Sequence, residues 1–207
     1  MQSAILRRPS SGNVRNPAAR AAILAAATEI LDEVGYGGFT IEEVARRSRA
    51  GKPTIYRWWK NKSGLFMEVY LERAATNDPP PNEGSLRADF VALIRELWRF
   101  WRCTPYGGAF RALIAESQTD LRSIADLRER FIAPRRERLR TVIDRAIIRG
   151  EIPPQPTDLM MDVMFGFCWY RLLTNQLVDD ARAIEAAVDI FLNGITRIPR
   201  GDDTEMP

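Results

Sequence analysis

The chain has 207 residues, 45% of them hydrophobic and 28% charged, enough for a sizeable buried core in a globular protein. It contains no histidine, which removes Ser-His-Asp and Cys-His nucleophile activation, histidine-ligated metals and the commonest general base. The net charge of +3 is unevenly spread: residues 1–62 carry 11 Lys/Arg against 5 Asp/Glu, and the remainder carries 19 against 22, as a nucleic-acid-binding head on a separate body would.

Residues 1–16 are basic and unpatterned, with Arg7, Arg8 and Arg15 around a Pro-Ser-Ser-Gly break. They read either as a flexible tail with nothing to bury or as an arm that follows a DNA groove. From Pro17 to Val34, Ile23, Ala27, Ile30, Leu31 and Val34 recur at helical spacing, and Gly35, Gly37 and Gly38 are expected to end that helix. Thr40-Ile41-Glu42-Glu43 is a capping box for a second helix, with Ile41, Val44 and Ala45 on one face and Glu42, Arg46 and Arg47 on the other. A third helix begins near Gly51, takes Pro53 in its first turn and carries Lys52, Thr54, Ile55, Tyr56 and Arg57. Two short helices joined by a tight turn, the second basic, form either a helix-turn-helix or an ordinary core hairpin. Asn61 or Ser63 caps the next helix, whose Leu65, Phe66, Val69 and Tyr70 give an apolar stripe.

Asp78-Pro79-Pro80-Pro81 forbids helix and marks a stiff boundary. Beyond it Ser85 caps a helix bearing Phe90, Leu93, Ile94, Leu97 and Trp101, which Pro105-Tyr106-Gly107-Gly108 breaks before a helix over about 109–117. A long helix from about Leu121 to Arg149 is expected to kink or divide at Pro134, with Arg135, Arg136, Arg138 and Arg140 on a solvated face. Thr157 or Asp158 caps a helix that is apolar nearly all round, and a last helix covers about 181–196. These two hold more apolar surface than one body layer needs, so a second copy is expected to cover Met164, Phe167, Val188, Phe191, Leu192 and Ile195. The fold class is therefore all-α: a three-helix head at 17–63, a helical body at 64–200, and tails at 1–16 and 201–207.

Cys103 and Cys168 lie far apart without CxxC partners, as free thiols in a reducing, cytoplasmic compartment would. Neither a bilayer-spanning run nor a signal-like segment occurs, and no GxGxxG or Walker pattern is present. No metal, cofactor or membrane is expected, and no residue set supports an enzyme.

The stretch from Ala22 to Phe66, AILAAATEILDEVGYGGFTIEEVARRSRAGKPTIYRWWKNKSGLF, resembles the tetracycline-repressor (TetR) family of bacterial transcriptional regulators. The alanine-rich helix, glycine break, Phe-Thr, Ile-x-x-Val-Ala, Thr-Ile-Tyr, paired aromatic and Asn-Lys-Ser-x-Leu-Phe follow the family's order and spacing. The body is only generically similar, through its Gly-Glu-Ile-Pro break before two dimer-like helices. Where the family often has a turn glycine and a hydroxyl cap, this chain has Arg49 and Gly51, so Arg49 is expected to take a left-handed φ. The resemblance implies a homodimer that reads a palindromic double-stranded operator and a body that binds a small, largely apolar effector.

In that frame the helix from Lys52 to Trp58 enters the major groove. Lys52 and Arg57 face guanine or phosphate, Thr54 a phosphate or thymine methyl, and Tyr56 a phosphate, with Arg49 and Pro53 beside them. Thr40 and Lys62 position the head on the backbone, and Ile55 and Trp59 belong to the core. Trp98, Trp101, Tyr106, Phe110, Phe165, Trp169 and Tyr170 read equally as a dense core or an effector pocket, and Arg171 needs a carboxylate or a ligand anion. An architectural DNA-binding protein and a small helical enzyme without a recognisable site are the rival readings.

Overall fold

The computed structural model describes residues 16–74, 79–119, 121–154, 156–178 and 180–196, and all regular structure among them is helical. The tails expected at 1–16 and 201–207 lie outside those residues except for Asn16, as do Asp78 and the side chain of Ile195. Asn16 caps α1 (Pro17–Gly38) by accepting from the Ala18 and Ala19 amides at 3.0 and 3.4 Å. That helix runs on to Gly38 and is interrupted only at Gly35, whose φ of 65° few other residues would adopt.

Local capping sets the next three helices. The Thr40 hydroxyl accepts from the Glu43 amide at 3.2 Å to start α2 (Ile41–Ser48). Gly51 starts α3 (Lys52–Trp58) without a side-chain bond, and Asn61 accepts from the Gly64 amide at 2.8 Å to start α4 (Lys62–Arg73). Ile23, Ile30, Phe39, Val44, Ile55, Trp59, Leu65 and Phe66 close the head core. The Trp59 indole N–H donates to Glu68, which also pairs with Arg20, so one carboxylate ties α1, the end of α3 and α4 together.

In the body, α5 (Leu86–Cys103) is central and packs against α6 (Tyr106–Ser117), α8 (Ala133–Ile148), α9 (Thr157–Leu173) and α10 (Ala181–Thr196). Ser85 caps α5 as expected, whereas α9 starts after Pro156 without a side-chain cap, because Asp158 is drawn to Arg136 and Arg140 instead. Asp180 caps α10. Between α7 (Leu121–Asp126) and α8, residues Leu127–Ile132 form a π-helical segment. Pro134, in the first turn of α8, has no N–H to continue the ladder, and the Ala133 amide bonds back to the Arg128 carbonyl.

The expected break at residues 105–108 is narrower than the sequence suggests, for α6 already begins at Tyr106. Gly107 is what permits this. A Cβ there would lie 2.3 Å from the Trp101 carbonyl oxygen, so the tight α5–α6 corner requires a bare backbone. Gly108 has open space. Gly107→Ala is therefore expected to lower stability by about 1–3 kcal/mol or more in urea unfolding, while Gly108→Ala is neutral or gains up to about 1 kcal/mol from helix propensity. Equal effects of the two variants would contradict the close approach.

Candidate functional site

The helix-turn-helix presents a basic face. Arg49 ends α2 in the left-handed region, at φ 55° and ψ 25°, because the turn must reverse where no glycine stands. Lys52, Pro53, Tyr56 and Arg57 are exposed on α3, Thr54 is half-buried, and Ile55 and Trp59 are buried as core. Arg57 has no ion-pair partner among the described residues, while the Lys52 ammonium is held by Glu42 of α2. Lys60, which the sequence reading passed over, is exposed in the α3–α4 turn. Behind this face Glu43 accepts from Arg46 at 2.6 and 2.8 Å and from Arg47 at 2.7 Å, and Arg47 also reaches Glu33 at 2.7 Å. Those hydrogen bonds, led by Arg46 and then Arg47, depress the Glu43 carboxyl pKa to about 2.

Lys62 does not project freely from the head. Its ammonium lies 4.0 Å from the Tyr36 ring centroid and 3.6 Å from a Glu116 oxygen of α6. The Tyr36 hydroxyl donates to the same carboxylate at 2.8 Å and lies 3.3 Å from the Ser63 hydroxyl. This corner, with Arg73 on Asp32 at 2.6 Å, joins α1 and α4 of the head to the body.

A cavity of about 420 Å³ opens between the end of α4, α5, α8 and α9. Its wall is mostly apolar, with Phe90, Leu93, Ile94, Leu97, Leu139 and Met164. Among the described residues Arg73, Arg99, Arg135 and Arg138 and a single carboxylate, Glu96, also line it. Of the aromatic residues expected to form a pocket, only Phe165 lines this space. Trp101, Phe110 and Trp169 surround a void of only about 10 Å³ and form packed core with Tyr106, their rings stacked edge or face on their neighbours. Trp98 borders a second hollow, of about 470 Å³, beside α10. Tyr170 is 58% exposed, and Arg171, also outside the cavity, meets Gln176 at 3.4 Å rather than a carboxylate.

The expected interface residues are corrected in the same way. Met164 lines the cavity and Val188 is wholly buried within the chain. Phe167 packs on Trp98 with centroids 5.6 Å apart, and Phe191 packs on Phe90 at 5.7 Å. Leu192 is half-buried. What remains exposed is Leu159, Val163, Tyr170 and Leu173 along one side of α9, at 62, 51, 58 and 47%, and Ile190 of α10 at 75%.

The sequence pattern described as "Bacterial regulatory proteins, tetR family" matches residues 23–69, and that described as "Tetracyclin repressor-like, C-terminal domain" matches residues 80–191. The chain belongs to the TetR family. An uncharacterised HTH-type transcriptional regulator of Bacillus subtilis is 31% identical over 182 residues, covering 87% of this chain and 91% of that one. A DNA-binding transcriptional repressor TetR of Mycobacteroides abscessus is 30% identical over 178 residues, covering 83% and 91%. The crystal structure of a TetR family transcription regulator matches with a TM-score of 0.75 and 30% identity, covering 87% of this chain and 99% of that one. The chain is thus an all-α helix-turn-helix transcriptional regulator, and among its described residues no helix is long and apolar enough to cross a membrane.

Two consequences for the head are measurable. The left-handed φ costs an ordinary residue roughly 1 kcal/mol, so Arg49→Gly is expected to stabilise the chain by about that amount in urea unfolding. A loss of stability would contradict the strain. Because the folded pKa of Glu43 is depressed, its contribution is complete above the usual carboxylate pKa of about 4.3 and is lost as pH falls toward 2. The melting-temperature deficit of Glu43→Gln against the wild type should therefore shrink between about pH 5 and pH 2, and a constant deficit would contradict the pairing.

Proposed function

We propose that the protein is a homodimeric repressor that reads a palindromic double-stranded operator through α3 and releases it when a small, largely apolar effector fills the body cavity. The observation that carries the reading is an exposed basic helix, with Arg57 unpaired among the described residues, mounted on a head whose helix α4 runs into the wall of an apolar cavity. Lys52 and Thr54, at the N-terminal end of α3, are nearest the base edges, and Arg57 and Tyr56 reach phosphate or guanine. Arg49 and Pro53 flank that contact. Thr40 at the start of α2 offers a phosphate contact, and the free amides at the start of α4 do so beside Lys62, whose side chain is turned to the body corner.

The exposed α9 stripe of Leu159, Val163, Tyr170 and Leu173, with Ile190 of α10, is the surface a second copy would cover. Repression is the activity named for the relative from Mycobacteroides abscessus. The protein would act in the cytoplasm, on DNA, without catalysis or cofactor. In the ligand-free dimer the two heads fit successive major grooves, about 34–36 Å apart, and the effector favours a spacing that does not fit.

The test is fluorescence anisotropy on a duplex recovered by in vitro selection from a random pool. Arg57→Ala is expected to cost about 1–3 kcal/mol of affinity, and Lys52→Ala to reduce the slope of log affinity against log salt by about 1. Unchanged affinity and slope in both variants would overturn the assignment of α3. Equal affinity for the selected and scrambled duplexes would favour an architectural protein instead.

A further inference from the structure

Arg135 was expected on a solvated face with Arg136, Arg138 and Arg140, and the structure turns it inward. Arg136 and Arg140 pair with Asp158 and Asp162, and Arg138 lies 3.6 Å from Glu96. Arg135 instead packs against two aromatic rings, its guanidinium carbon 3.7 Å from the Phe131 centroid and 4.5 Å from that of Tyr70. Its Nη1 donates to the Phe131 carbonyl at 2.9 Å. Its Nη2 is sealed from solvent, and among the described residues it has no hydrogen-bond acceptor and no carboxylate lies within 4.0 Å of the group.

A guanidinium remains charged in a protein, so burial here leaves a cation without a counter-ion. Desolvation, the largest influence on it, lowers its pKa from the ordinary value; Tyr70 opposes this by charge interaction and hydrogen bonding, and the nearby Arg138 adds to the lowering. Stacking on Phe131 and Tyr70 offsets part of the cost of burial, but the Tyr70 hydroxyl, which also takes the Trp101 indole N–H, supplies no formal counter-charge. Arg135 also lines the 420 Å³ cavity, so a small turn of its side chain would bring Nη2, sealed as it stands, to a ligand there. Among the described residues, three further arginines line that cavity against one carboxylate, which is itself beside Arg138. A neutral apolar ligand would leave Nη2 unsatisfied, and a cation would be repelled. An oxyanion would satisfy it at an energy that the low dielectric enlarges.

We infer that the cavity takes an amphiphilic monoanion: an alkyl or aryl body against Leu93, Leu97, Leu139 and Met164, with one terminal oxyanion accepting from Arg135. This rests on the effector reading above only for its regulatory meaning, because binding itself is independent of DNA. The cavity is within the range of about 300–1,000 Å³ typical of small-ligand sites.

The full-length protein is titrated calorimetrically with decanoate, decyl sulfate and decan-1-ol, each below its aggregation limit. In the wild type, decanoate should bind at least tenfold more tightly than decan-1-ol. Decyl sulfate binding as well as decanoate would assign any single-charge oxyanion, and decanoate alone would assign a carboxylate, both in keeping with the inference. Arg135→Met should lose at least tenfold for decanoate while holding decan-1-ol as tightly as before, and Arg135→Lys should fall between. Arg135→Met should also melt no lower than the wild type when free, and decanoate should no longer raise its melting temperature. Equal wild-type affinity for decanoate and decan-1-ol, binding of none of the three, or full decanoate affinity in Arg135→Met would overturn the inference. Should the Met variant fail to fold, the wild-type preference and the Lys variant decide. The two readings fail separately. Decanoate held through Arg135 without any change in operator affinity overturns the effector role alone, and decan-1-ol releasing operator as well as decanoate does overturns only the anion.

Discussion

The packing of Tyr70 is the constraint on which the rest of the molecule depends. It lies in the last turn of α4, wholly buried, with Phe66, Phe100, Tyr106, Phe110 and Phe131 around its ring at centroid distances of 4.8 to 5.9 Å. Its hydroxyl accepts from the Trp101 indole N–H at 2.6 Å, and burial raises its pKa. One side chain thus fastens the helix that starts at the DNA face to α5, α6 and the π-helical segment before α8. Three residues later the same helix reaches Arg73, which both pairs with Asp32 of α1 and lines the cavity.

That geometry gives ligand binding a mechanical route to the head. Close-packed aromatic rings yield by discrete rearrangement rather than by smooth compression, so displacement of Arg135 or of the α8 wall is felt at Tyr70. A shift of Tyr70 would carry α4 with it, and α4 bears Lys62 and Ser63 at the corner where Glu116 holds Tyr36. The corner is polar and partly solvated, the kind of contact that can break and re-form at small cost. A rigid aromatic hinge at one end and an exchangeable polar latch at the other suit a two-state regulator.

Much of the head was legible because its determinants are local. Thr40 and Asn61 are caps written within four residues of the amides they satisfy, and the left-handed Arg49 stands where the family often has a turn glycine. The body was less legible because periodicity tells which residues share a face, not what that face meets. The apolar residues of α9 are indistinguishable by spacing, yet Met164 points to the cavity and Val163 to solvent. Arg135 was misplaced for a sharper reason. It follows the buried Phe131 by four residues and so shares the inward side of that turn, although its residue type reads as solvated. Pro134 signalled a disturbance, but only three-dimensional packing assigns its direction. Lys62 likewise sits where the motif puts it, and only the position of Glu116, far away in sequence, turns its side chain from the DNA face.

The central claim is that filling the cavity changes the spacing of the two recognition helices. The distance is accessible by double electron–electron resonance with a spin label at Lys60→Cys in a Cys103→Ser background. Cys168 can be left in place, since burial pushes its thiol up to about 12 and keeps it unreactive. The account predicts a single distance distribution when operator is bound, already present in the free dimer, and a shift of several Å when decanoate occupies the cavity. An unchanged distribution with decanoate demonstrably bound by calorimetry would contradict it.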